Sequence, residues 1–190
     1  NNDGYFEELQ ETESGIYQTK SFVGKAGSNY LLKVYYEGKT YDARSTMPAN
    51  VALDTFLLAP LQLANMKVVS ILPVFKDPAG EKNYYSFVRY LNGTKLKGTI
   101  IMSDELSDGK NNMQVILSSD EKLKTGDHFA LELRNIDEAA HRYLSTKMLT
   151  ANQNSAAPVN PLSNFSGGAL GYFSTFSSQK KEAIVTDWIE

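Results

Sequence analysis

Short runs of aromatic and β-branched residues, each closed by glycine or a proline-bearing turn, recur along almost the whole chain and commit it to a mostly-β fold. Residues 5–9, 16–22, 30–36 and 39–44 form the first set, punctuated by Gly15, Gly24, Gly27 and Gly38. An extended link runs from Met47-Pro48 to Ala59-Pro60. Longer runs follow over residues 66–75, 83–91, 96–102, 113–117 and 128–135. Eleven Tyr and nine Phe against a single Trp suit such strands, because these side chains fill a pleated, half-buried surface. Glu37-Gly38 and Asn92-Gly93 predict tight hairpins, and Asp77-Pro-Ala-Gly80 predicts a type I turn.

One segment departs from the β rhythm. Over residues 137–149, Ala140, Tyr143, Leu144, Lys147 and Met148 fall along one helical stripe, with Asp137 placed to cap the helix. The expected fold is therefore an antiparallel β-sandwich or barrel-like protein with one short helix and about ten to twelve strands in two layers. Residues 1–48 read as a partial immunoglobulin- or prealbumin-like β portion. Residues 49–190 read as a larger β domain that includes the helix near 137–149.

The stretch from Pro158 to Ser177 concentrates special backbone. Pro158 and Pro161 exclude helix before them, and Gly167, Gly168 and Gly171 suit positive φ. This predicts a shaped loop in which Asn160 and Asn164 bond to nearby backbone. A closing strand is expected through Tyr172, Phe173 and Phe176, covered on both faces because aromatics occupy both.

Composition excludes several classes. Nineteen basic and 22 acidic side chains give a net charge of -3, with both signs dispersed, which removes the clustered Lys and Arg of a nucleic-acid footprint. The chain has no cysteine, hence no disulfide, thiolate zinc site or cysteine nucleophile. It has no apolar run of about 18 residues to span a bilayer. Its opening residues look like a turn feeding a strand, so the chain is expected to start inside a domain.

Candidate chemistry reads as structure. Asp104, Asp108 and Gly109 match calcium-loop positions one, five and six, but Leu106 and Val115 break the pattern, leaving a solvated hairpin turn. His128 and His141 lie in no metal or nucleophile motif. Neither Gly24-Lys-Ala-Gly-Ser28 nor Gly167-Gly-Ala-Leu-Gly171 has phosphate-loop or dinucleotide spacing. Asn92-Gly-Thr and Asn164-Phe-Ser fit the glycosylation acceptor pattern, with Asn92 better explained as a turn residue. No catalytic residue, metal ligand or cofactor is assigned. The speculative ligand- or partner-binding set is Asn160, Asn164, Gly167, Gly168 and Tyr172.

A resemblance adds to this reading. Gly15-Ile-Tyr17, residues 22–27 and Tyr30-Leu-Leu-Lys-Val34 resemble the opening of domain-of-unknown-function family 4249. So do the Thr46-Met-Pro48 link, the hairpin from Asp77 to Tyr85, and the Asn160-Pro-Leu-Ser-Asn-Phe-Ser-Gly-Gly-Ala-Leu-Gly-Tyr-Phe173 segment. The family consists of Bacteroidetes outer-membrane lipoproteins found beside TonB-dependent transporters. Membership implies export, an N-terminal lipid anchor missing from these residues, and a place at the outer membrane or cell surface. It carries no catalytic residues over. The expected function is a non-enzymatic binding or accessory module working with such a transporter. The rivals are a glycan- or peptide-directed hydrolase using Asp and Glu, and a purely structural or adhesive surface domain.

Overall fold

The computed structural model describes residues 1, 3–63, 65–112, 115–118, 123–151 and 160–186. Its contacts divide the chain into two units: Asn1–Ala49 with Asp137–Phe176, and Asn50–Ile136 with Ser177–Glu190. A division at residue 48 was expected to leave the helix in the larger part. The helix and the Asn/Gly loop belong instead with the N-terminal hairpins. Sequence adjacency hid this, because side chains distant in sequence tie residues 137–176 back to the early strands.

The first unit holds β1 (Gln10–Glu13), β2 (Ile16–Gln18), β3 (Asn29–Tyr36), β4 (Lys39–Thr46) and α1 (Glu138–Ala151). β1 and β2 pair antiparallel with a register shift between Glu11 and Glu13. β3 and β4 pair over eight residues, from Asn29 opposite Thr46 to Tyr36 opposite Lys39. Glu37 and Gly38 both take positive φ, 48° and 73°, the double left-handed turn that matches strand twist. The expected strand over residues 5–9 does not form. Those residues gain no ladder partner among the described strands, and Tyr5 and Phe6 stay exposed.

α1 begins where Asp137 caps it. One carboxylate oxygen accepts the Ala140 N–H at 2.9 Å, satisfying an orphan donor of the first turn. The other accepts the Ser45 hydroxyl at 2.6 Å and the Thr46 N–H at 3.1 Å, so the cap also fastens the helix to β4. Of the expected stripe, Ala140 and Leu144 are buried, while Lys147 and Met148 are exposed.

The second unit contains two antiparallel sheets. β5 (Thr55–Leu63) pairs β6 (Met66–Lys76), which also carries β10 (Asn111–Asn112) and β11 (Ile116–Ser118). The other sheet runs β13 (Ser177–Ile184), β12 (His128–Ile136), β7 (Tyr84–Leu91), β8 (Thr94–Lys95), with β9 (Ile100–Ser103) also on β7. Their inner faces share one core. Phe56, Val69, Ile71 and Phe75 from the first sheet meet Tyr85, Phe87, Phe129, Leu131 and Leu133 from the second. Ring pairs Phe56–Phe129 at 5.7 Å and Phe75–Tyr85 at 4.9 Å join the layers. This is the sandwich that the alternating pattern foretold. Pro60, expected in a link, lies inside β5, which an edge strand tolerates because the missing N–H costs no ladder bond.

Candidate functional site

The loop from residue 160 to 176 is built around one side chain. The Asn164 carboxamide oxygen accepts the Phe173 N–H at 2.9 Å, and its amide nitrogen donates to the Phe173 carbonyl at 2.7 Å. The same nitrogen donates to the Arg44 carbonyl on β4 at 3.0 Å. Asn164 thus does for Phe173 what a neighbouring strand would do, and links it to β4. Around it, Ser166 exchanges bonds with Asp42: its N–H donates to the Asp42 carbonyl at 2.7 Å and its hydroxyl accepts the Asp42 N–H at 3.0 Å. Phe165 forms a bridge with Ala43. Ser45 accepts the Thr175 N–H at 2.8 Å.

These bonds explain why the expected strand over residues 172–176 is absent. The backbone groups there are satisfied by Asn164 and Ser45 side chains rather than by a ladder, and the closing strand starts at Ser177. Double-sided cover fails with it, since Tyr172 and Phe176 are exposed. The expected Asn164 bonding to backbone is present. Asn160 is exposed and makes no hydrogen bond among the described residues. Pro158 lies outside them.

Gly167, Gly168 and Gly171 have φ of 74°, 80° and 116°. Only Gly167 is also crowded: a side-chain carbon there would meet the Tyr41 ring at 3.1 Å and the Thr40 carbonyl oxygen at 3.3 Å. Tyr172 stacks on Tyr143 of α1, ring centroids 4.7 Å apart and 26° between planes. Leu162, Leu170 and Tyr172 remain open to solvent on this braced loop. Asn164 and the glycines therefore shape the loop, and the apolar side chains around them are what it presents.

Three carboxylates that sequence reading treated as separate turns converge in the second unit. Oxygens of Asp77, Asp104 and Asp108 lie within 4.8 Å of one another. Pairing of β10 with β6 and of β9 with β7 brings the 77–83 and 104–110 turns side by side. Asp77 is wholly buried, accepting the Tyr85 hydroxyl and the Gly109 N–H. Asp104 accepts the Asn83 N–H at 2.8 Å, and Asp108 accepts the Gly80 N–H at 2.8 Å. Burial first, and the Asp77 carboxylate second, push the Tyr85 phenol well above its ordinary range. The trio has the donor type of a hard-cation site. Its oxygens already cross-brace two turns, with Asp77 and Asp104 buried and Asp108 exposed.

The face of the β7–β12–β13 sheet opposite the core carries a charged network. Arg134 grips Glu132 with two bonds of 2.9 Å, and the Tyr90 hydroxyl donates to Glu132 at 2.7 Å. Lys180, directly opposite Glu132 in register, sits 4.5 Å above the Tyr90 ring. Burial opposes ionisation of Glu132, but the Arg134 and Tyr90 bonds outweigh it and hold its carboxyl below the ordinary range. His128 begins β12, and His141 lies on α1 in the other unit. Asn92 has φ 48° in the β7–β8 turn, with its side chain bonded to Asp127 and to the His128 N–H. Both acceptor-pattern asparagines thus have their amides committed to structure.

Among the described residues, antiparallel strands in open sheets, one helix and a sandwich core define a mostly-β class. Within that class, the chain belongs to the family described as Domain of unknown function (DUF4249), whose pattern matches residues 1–182. No curated protein and no solved structure matches it.

Proposed function

We propose that this protein is a non-enzymatic binding or accessory module that works with an outer-membrane TonB-dependent transporter, held at the membrane by a lipid anchor outside these residues. One observation carries the binding part of this reading. The Asn164 clamp holds a loop in a single shape while Leu162, Leu170 and Tyr172 project from it into solvent. A preorganised loop with exposed apolar side chains loses little entropy on binding, which favours a protein partner. The transporter and the location rest on the family resemblance.

The test is co-purification. The full-length protein, tagged at its C-terminus, is extracted from outer membranes with mild detergent, and the adjacently encoded transporter is quantified in the eluate. Recovery of the transporter is expected, reduced about tenfold by Leu170→Asp, the loss of one apolar anchor. Absence of the transporter at any detergent strength that preserves other outer-membrane complexes defeats the proposal.

A further inference from the structure

The two outer faces of the sandwich in the second unit differ in kind. On the β7–β12–β13 sheet that face carries Tyr90, Glu132, Arg134 and Lys180, as the solvated side of a sandwich does. The β5–β6–β11 sheet breaks this rule. Phe56, Val69, Ile71 and Phe75 belong to the core, so alternation turns the odd-numbered residues of β5 and the even-numbered residues of β6 outward. From Thr55 to Leu63 and from Met66 to Val74, none of those outward positions is charged. Register sets Leu57 opposite Leu72, Leu61 opposite Val68 and Leu63 opposite Met66, with Leu117 of β11 opposite Ser70. Leu57 is 57% exposed, Leu61 38%, Leu63 38% and Leu117 51%, while Val68 and Ser70, the row between, are buried. Residues 55–75 include a single charged side chain, Lys67, which pairs with Gln62 and so falls out of phase with this row.

We propose that this face lies on a lipid bilayer, with its leucines immersed in the hydrocarbon. An uncharged leucine surface offers nothing for a charged or hydrogen-bonding partner to pair with, whereas protein–protein interfaces carry about one hydrogen bond per 100–200 Å². The exposed apolar area is about 400 Å², a size at which a surface patch commonly marks a binding site. A second copy packed face to face would bury only about half of the roughly 800 Å² per partner that a stable dimer needs. A bilayer sets no such minimum, because its affinity grows with the apolar area immersed. Lying flat, the sheet immerses side chains to a depth of about 5 Å and keeps the β5–β6 ladder bonds intact. The outer edge of β5 stays at the level of headgroups and water, which satisfy its backbone. The inference rests on this face alone, not on the transporter reading or on a lipid anchor.

The experiment uses the 190-residue chain with no lipid attached and vesicles of uncharged phosphatidylcholine, read by flotation. Binding is expected, and it should persist at about 0.5 M salt, because no charge takes part. Leu61→Asp with Leu117→Asp should reduce it about tenfold or more, whereas Leu170→Asp, in the other unit, should leave it unchanged. The chain has no cysteine, so Leu61→Cys or Leu117→Cys can carry a single environment-sensitive fluorophore. Its emission should shift to the blue with vesicles and be quenched by a nitroxide just below the headgroups. The same label on Glu182→Cys, on the charged sheet, should do neither. Both leucines are exposed, so circular dichroism and thermal unfolding should match the parent. The labelled variants add no charge and answer the question even if the double substitution fails to fold. No flotation, binding confined to charged vesicles, equal loss from Leu170→Asp, or an equal label response at position 182 overturns the proposal. So does self-association in free solution that the double substitution abolishes, which would make the face a dimer interface. Co-purification with the transporter is read separately: Leu170→Asp should reduce it and leave flotation intact.

Discussion

The side chain of Asn164 bonds both backbone groups of Phe173, accepting from its N–H and donating to its carbonyl, nine residues further along the chain. An amide is the one side-chain group that copies a peptide unit, so a single residue replaces a strand neighbour here. Asn164→Ala removes three bonds at once and leaves part-buried backbone groups unpaired. The expected loss is about 2 kcal/mol or more, read by thermal unfolding. Asn160→Ala should change stability by less than about 0.5 kcal/mol, since Asn160 is exposed. Equal effects at the two positions would remove Asn164 as the clamp.

Gly167 and Gly168 offer a paired comparison. Both hold positive φ, but only Gly167 faces the Tyr41 ring and the Thr40 carbonyl. Alanine at Gly168 should cost about 1 kcal/mol from backbone strain alone. Alanine at Gly167 should cost distinctly more, because the ring must also give way. Denaturant titration of the two variants gives the order directly.

Tyr85→Phe tests the buried brace. It deletes the hydroxyl that donates to the fully buried Asp77 while keeping the ring packed on Phe75. The uncompensated carboxylate should cost about 1–3 kcal/mol. Tyr85→Phe combined with Asp77→Asn should recover part of that loss, because the charge is removed with its donor. No recovery in the double variant would show that Asp77 is not what Tyr85 supports.

Acidification should destabilise the chain through Glu132. Its folded carboxyl titrates below the ordinary value, so its stabilising contribution is complete above the unfolded value of about 4.3 and is lost as pH falls through the folded value. Asp127 behaves alike, held down first by the Asn92 amide and then by the Lys124 N–H. Urea midpoints should therefore fall as pH drops below about 4, and Glu132→Gln should flatten that slope. An unchanged slope in Glu132→Gln would separate the acid sensitivity from this network.

What the sequence determined by itself follows from local physics. Alternation of aromatic and branched residues produced β3, β4, β6, β7 and β12 close to where it predicted them, and Glu37-Gly38 and Asn92-Gly93 made tight turns because glycine accepts positive φ without cost. Asp137 announced the start of α1, since a carboxylate before a helical stripe satisfies the first-turn amides. The glycines after Asn164 likewise declared a shaped loop.

What the tertiary structure decided depends on partners that sequence spacing does not reveal. Residues 5–9 and 172–176 have strand composition, yet a strand exists only where another strand can take its hydrogen bonds. Residues 5–9 found none among the described strands, and residues 172–176 were taken by Asn164 and Ser45 instead. The convergence of Asp77, Asp104 and Asp108 required two hairpins to be set side by side by the register of β7 with β9. The assignment of α1 and its loop to the first unit turned on contacts such as Ser45 to Asp137, 92 residues apart, which no local pattern encodes.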